Sequence, residues 1–294
     1  VAWQLGWMTV LARLAQVCAP VVLLASCAAG KLSGDGYSLA SLTDWRGIEN
    51  HDILETLTGT HEPGELDDII KGFDEYSESH RLGMNLGEQK AGLIEKTVEA
   101  ALQLHANASR PFAVLELGAH FGDGTMRIVR AIRQYAKNNG GGPPAFVASF
   151  EDNKGWASAN RFLLEHAVPE ARPGSGAPSL AHVSLFVTPD AILEAAKAVL
   201  AHFSGASYGL IVMDHDKKRY HHTLRGLVDA ELVRPAGLVL ADNCGTHAKF
   251  MQKYLKYISD EGVFATHYKE ITAPYPDRVA VSVYQGGGEP TDSP

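Results

Sequence analysis

The chain has 294 residues, of which 45% are apolar and 20% charged, and a formal net charge of −8. That is enough chain for one α/β domain with a full hydrophobic core. The acidic balance, with no basic stripe, excludes a nucleic-acid partner, because phosphate binding needs a positive surface.

Residues 1–30 read as a signal peptide or membrane anchor. Val10 to Ala29 is largely apolar, is interrupted by Arg13, Gln16 and Pro20, and ends in the small residues Ala25-Ser-Cys-Ala-Ala-Gly30. Leu24-Ala-Ser-Cys27 also fits a bacterial lipoprotein cleavage box, and an amphipathic helix docked on the domain is the alternative. The uninterrupted apolar stretch is shorter than the roughly 20 residues that span a bilayer. Of the three cysteines, Cys18 and Cys27 fall in this leader, so the rest of the chain holds only Cys244 and forms no internal disulfide. A polar linker to about Trp45 and helices to about Tyr76 predict a helical cap over residues 31–83.

The main domain is expected over 84–286, entered by a helix from Glu88 to His105. In Ala113-Val-Leu-Glu-Leu-Gly-Ala-His-Phe-Gly-Asp-Gly124 an apolar strand runs into a loop with Gly118, Gly122 and Gly124, then into a helical stretch from Thr125 to Tyr135. Glycines there let backbone approach a ligand closely, and the helix start offers free N–H groups. The spacing G-x-x-x-G-x-G is neither the dinucleotide fingerprint nor a phosphate-cradling loop, so a nucleoside without phosphates fits better. Ala145-Phe-Val-Ala-Ser-Phe-Glu151 is a second apolar strand, ending in an acid where such sheets grip ribose hydroxyls. This pairing suits S-adenosyl-L-methionine as readily as NAD.

Further strands near 182–187, 208–214, 237–242, 263–270 and 278–285 complete a set of seven, which predicts a doubly wound α/β sheet. Pro274-Tyr-Pro-Asp277 reads as the turn of a terminal antiparallel hairpin, Lys137 to Pro144 and Val168 to Ser179 as surface loops, and 287–294 as a disordered tail. Tyr208-Gly-Leu-Ile-Val-Met-Asp214 and Gly237-Leu-Val-Leu-Ala-Asp242-Asn243 should bring Asp214, Asp242 and Asn243 out together at the ligand-binding lip. Two carboxylates and an amide suit Mg2+ better than Zn2+, although each residue alone is also what a helix N-cap uses. Thirteen histidines invite zinc, yet no pair shows the i, i+4 spacing beside a glutamate, and no G-x-S-x-G elbow marks a serine hydrolase.

On these residues the chain resembles the catechol O-methyltransferase family from about Asp67 to Gly286. The matching segments are Met84-Asn-Leu-Gly-Glu-Gln-Lys90, Val114-Leu-Glu-Leu-Gly-Ala119, Met213-Asp-His-Asp-Lys-Lys-Arg-Tyr220, Leu240-Ala-Asp-Asn243, Thr266-His-Tyr268 and Tyr284-Gln-Gly286. The resemblance implies a Rossmann-like class I methyltransferase: a seven-stranded, mostly parallel sheet with a terminal antiparallel hairpin and an N-terminal helical cap. It further implies Asp214, Asp242 and Asn243 as Mg2+ ligands and Lys217 as general base. Around S-adenosyl-L-methionine it implies Met84, Glu116, Gly118, His120, Gly122, Asp214 and His215, with Glu151 on the ribose.

The acceptor end departs from the family. Leu82 and Asp216 stand where the family has tryptophan walls for a flat catechol ring, and Cys244-Gly-Thr-His247 replaces an apolar, proline-containing turn. The nearest candidate for the glutamate that receives the second catechol hydroxyl is Glu270, so the acceptor side comprises Leu82, Asp216, Asn243 and Glu270. The implied reaction moves a methyl group to a hydroxyl of a small catechol-like acceptor. The lost walls fit a second reading, a membrane-associated, catalytically weak binding protein on the same fold.

Overall fold

The computed structural model describes residues 32–49, 51–82, 85–106, 110–169, 180–260 and 262–286. The expected leader, Met84 and the expected tail lie outside the described residues. Four strands form the parallel centre: Phe112–Leu117 (β3), Ala145–Glu151 (β4), Tyr208–Met213 (β6) and Val233–Ala241 (β7), joined on the far side of β4 by Leu180–Val187 (β5). Every residue of β3, β4 and β6 is buried, as expected for strands covered on both faces. Successive residues feed opposite layers. Val114, Val147, Leu210 and Val212 face one apolar cluster, whereas Ala113, Leu115, Phe146 and Ile211 face the other.

The first layer packs Asp52–Thr60 (α1), Leu66–His80 (α2), Gly87–His105 (α3), Asp123–Asn138 (α4) and Lys154–Ala167 (α5) on the sheet, and the second packs Ile192–His202 (α6), Tyr220–Asp229 (α7) and Gln252–Ile258 (α8). In α4 the apolar residues Met126, Val129 and Ile132 recur at helical spacing and are buried, which is what seats that helix on the sheet. Asn153 caps α5, its side chain accepting from the N–H of Gly155 and of Trp156. Phe264–Ile271 (β8) and Asp277–Tyr284 (β9) form the expected antiparallel hairpin, with β9 paired to β7.

The sheet order is β1-β2-β5-β4-β3-β6-β7-β9-β8, nine strands instead of the seven expected. The two additions are Ser33–Gly34 (β1) and Tyr37–Leu39 (β2), in the stretch read as linker; β2 runs antiparallel to β5, with Leu39 opposite Leu185. Two- and three-residue strands carry no hydrophobic period, and these exist because the edge of β5 offers an unpaired ladder. Among the described residues no helix is long and apolar enough to cross a membrane.

Candidate active site

Chain order reverses direction between β3 and β6, and ligand sites of open α/β sheets form at such a point, beyond the strands' carboxyl ends. Backbone hydrogen bonds fix the ends in register. Gly118 N donates to Phe150 O (2.9 Å), Asp214 N to Leu117 O (2.8 Å) and Asp242 N to Met213 O (3.0 Å), so the last residues of four strands form one lip. Gly118 sits at φ +87°, and a Cβ there would lie 2.6 Å from the backbone of Asp214. The glycine is therefore required by the meeting of the two loops as well as by its torsion.

A cavity of about 470 Å³ opens along this lip. One end is walled by Trp156, Val187, Pro189 and Ile192, the middle by Glu151, Gly118 and His120, and the other end by Asp214, Lys217, Asp242, Asn243 and His247. Glu151 accepts from the backbone N–H of His120 (2.9 Å) and of Asn153 (3.1 Å), one on each carboxylate oxygen, leaving lone pairs for a ligand. Burial pushes its pKa up to about 7. The His120 ring meets Trp156 edge-on at 4.2 Å. His215 stacks on Tyr220 at 4.8 Å and pairs Nε2 with Thr223 Oγ1 at 3.1 Å, while Nδ1 is buried without a hydrogen-bond partner among the described residues.

A second, smaller cavity of about 50 Å³ adjoins it, lined by Leu86, Lys90, Glu116, Gly118, His120, Gly124 and Asp214. Glu116 there is buried and accepts from Thr125 Oγ1 and from Ser149 Oγ (2.7 Å). Burial raises its pKa to about 7. Gly122 takes φ +101° as the residue before α4, packed against Asn160 and Leu164, so it shapes the loop and lines neither cavity.

The acidic end holds the predicted metal set. Asp214 accepts from Lys217 Nζ (2.5 Å), which also donates to the Asp214 carbonyl (3.0 Å). Asp242 accepts from Lys90 Nζ at 2.7 Å. Burial, and next the Asp242 charge, push Asp214 up to about 6 even with Lys217 beside it. Among the described residues no group of three His, Cys, Asp or Glu side chains could hold a metal ion, so a cation here would rest on two carboxylates and the Asn243 amide. The chemistry of that set fits a hard cation: the two acids line one cavity, and an ammonium sits on each where positive charge is wanted.

The remaining acceptor-side expectations divide. Asp216 lines the cavity, but its carboxylate accepts from Lys218 N (3.1 Å) and caps a short helical turn. Leu82 packs against the apolar core of the cap and lines neither cavity. Glu270 is exposed on the edge strand β8, opposite Arg278, and also lines neither cavity. The sequence assigns no site role to Lys90, Trp156 or Arg219, yet all three line the larger cavity, as does His247. Lys90 closes the segment Met84–Lys90, and Trp156 falls in the first turn of the helix after Glu151, so the chain carries a signal for both.

No family model matches the chain. Over 187 residues it is 28% identical to a Mycobacterium tuberculosis protein named Probable O-methyltransferase, covering 61% of this chain and 66%, just under two thirds, of that relative. Over 248 residues it is 24% identical to catechol O-methyltransferase of Mus musculus, covering 82% of this chain and 81% of the mouse protein. The SAH-bound structure of a Podospora anserina methyltransferase matches with a TM-score of 0.50 at 13% identity, over 81% of this chain and 97% of that one, a likeness of fold.

Proposed function

We propose that this chain, which has the class I methyltransferase fold and a catechol O-methyltransferase-like sequence, is an S-adenosyl-L-methionine-dependent O-methyltransferase acting on a small catechol-like acceptor beside Mg2+. The observation that carries the reading is the continuous cavity from Trp156 and Glu151 to Asp214, Asp242 and Asn243. Its first end suits a nucleoside: an aromatic and apolar wall for a base, and a carboxylate anchored by two backbone N–H groups for ribose hydroxyls. Its second end offers two carboxylates, an amide and lysines to an acceptor with neighbouring oxygens.

Asp214, Asp242 and Asn243 would hold the cation, which when bound would lower the pKa of an acceptor hydroxyl and fix its direction. Lys217 is the group we assign to take the hydroxyl proton, which requires that it leave the Asp214 carboxylate and be neutral at that moment. The deprotonated oxygen attacks the sulfonium methyl in line, forming the new O–CH3 bond as the S–CH3 bond breaks. Most of the acceleration comes from holding the two reactants in one cavity. The deciding experiment titrates S-adenosyl-L-methionine calorimetrically, then assays methyl transfer to a catechol panel with Mg2+ and with excess EDTA. Turnover that EDTA abolishes, and that Asp242→Asn abolishes without changing cofactor affinity more than about threefold, is the expected result. Full activity in EDTA would remove the metal from the reading. Cofactor binding with no turnover of any acceptor would favour a binding protein on a methyltransferase fold.

A further inference from the structure

Asp277, the first residue of β9, collects more donors than a hairpin end needs. Its Oδ1 accepts from Gly245 N (3.2 Å), Thr246 N (2.9 Å), Thr246 Oγ1 (2.8 Å) and Arg278 N (2.8 Å). Its Oδ2 accepts from Lys90 Nζ (2.8 Å) and from Asn243 Nδ2 (3.0 Å). The side chain is 2% exposed. Two of the six partners reach the acidic lip. Lys90, 14% exposed, places the same ammonium on both oxygens of Asp242, at 2.7 and 2.9 Å. Asn243 turns its NH2 toward Asp277, and this leaves its amide oxygen as the atom to meet a ligand.

The backbone agrees with that reading. Asn243 sits at φ +61°, a torsion asparagine tolerates better than most residues, and this brings the loop 243–246 against β9. The approach is close: a Cβ on Gly245 would lie 2.9 Å from Arg278 N and 3.0 Å from Asp277 Oδ1.

We infer that Asp277 is a positioning residue for the cation site: through Lys90 it fixes the Asp242 carboxylate, and directly it fixes the Asn243 amide. This rests on the metal reading above. Asp277 and Lys90 would not touch the acceptor or the methyl group; they hold two of the three proposed ligands in the orientation a cation meets.

The test uses the full chain, with Mn2+ as a paramagnetic probe of direct binding, S-adenosyl-L-methionine calorimetry and thermal melting. Asp277→Glu keeps the charge and displaces the carboxylate by one methylene, while Asp277→Asn keeps the shape and removes the charge. Positioning predicts that both weaken Mn2+ binding about tenfold or more, with cofactor affinity within about twofold of wild type. Weakening by Asp277→Asn but not by Asp277→Glu would mean that only charge counts, and would overturn the inference. Should the Asp277 variants fail to melt cooperatively, Lys90→Arg gives the same reading, because a guanidinium keeps the charge yet cannot seat one ammonium between two acids. Mn2+ binding weakened about threefold or more there supports the inference, and unchanged binding overturns it. Wild-type protein that binds no Mn2+ sinks the metal reading and this inference together. Wild-type and variant proteins that bind it equally sink this inference and leave the metal reading standing.

Discussion

Glu116 shows how a single buried side chain ties the cofactor loop to stability. Its carboxyl titrates near 7 in the fold against 4.5 in a free chain, because burial disfavours the charged form more than Thr125 and Ser149 favour it. The folded state therefore holds the proton more tightly than the unfolded state. That contribution to stability is complete below pH 4.5, is lost as pH rises through 4.5 toward 7, and is absent above 7. Glu116→Gln keeps an acceptor for both hydroxyls and removes the charge. Its Tm should exceed that of wild type at pH 8 by several degrees, from a gain of up to about 3 kcal/mol, and the two should converge near pH 4.5. Identical Tm profiles across that range would show that Glu116 is not ionised in the fold at pH 8. Asp216 carries a second prediction at this scale. Its carboxylate lines the cavity and should favour an amine-bearing acceptor over a carboxylate-bearing one; Asp216→Asn keeps the cap on Lys218 N but removes that charge, so the ratio should fall by about threefold at low salt. An unchanged ratio would mean that the carboxylate serves only the turn.

Among the elements, α2 and α4 are tied by one buried cation. Arg127, 4% exposed, donates Nε to Asp123 Oδ1 (2.9 Å) within α4 and a terminal nitrogen to Asp74 Oδ1 (2.5 Å) on α2. Desolvating a guanidinium is tolerable only because both acids answer it, so Arg127→Met strands the buried carboxylate of Asp123. A loss of about 3–5 kcal/mol is expected in urea unfolding, against under 1 kcal/mol for an exposed pair such as Lys71–Glu75. A loss below 1 kcal/mol would show that the cap does not depend on this tie. Legibility in the sequence follows the same division. The central strands were readable because burial on both faces demands continuous apolar runs, and Glu151, Asp214 and Asp242 were readable because they end those runs. The hairpin of β1 and β2 was not, since its existence depends on an edge 146 or more residues away in sequence. Lys90 and Asp277, 187 positions apart, meet only once the sheet has closed, and Asp277 reads as the end of a turn although it is the first paired residue of β9. Leu82 stands where the family has a tryptophan wall, but its side chain packs against the core and does not wall the cavity.

At the scale of the whole molecule, that unexpected hairpin reaches the cofactor end of the cavity. Thr188 N donates to Gly36 O at 2.7 Å, and a Cβ on Gly36 would lie 2.5 Å from Thr188 Oγ1, so the hairpin is seated against the segment that leads into Pro189 and Ile192. Those two residues wall the end of the cavity beside Trp156, which we propose takes the nucleoside. Leu32 is the first buried residue described and receives Leu39 N at its carbonyl, which closes the hairpin. A chain beginning at Leu32 should keep S-adenosyl-L-methionine affinity within about twofold, because no residue lining either of the two cavities precedes Phe73. A chain beginning at Ser41 loses both edge strands, leaves the β5 ladder bare and frees Thr188. Cofactor affinity should then fall by about fivefold, the equivalent of one net hydrogen bond near 1 kcal/mol, with a lower Tm and a tendency to associate through the exposed edge. Calorimetry on the two chains separates the outcomes. Equal affinity in both would confine the hairpin to the sheet edge, and a loss already present in the chain beginning at Leu32 would place a determinant of binding before residue 32.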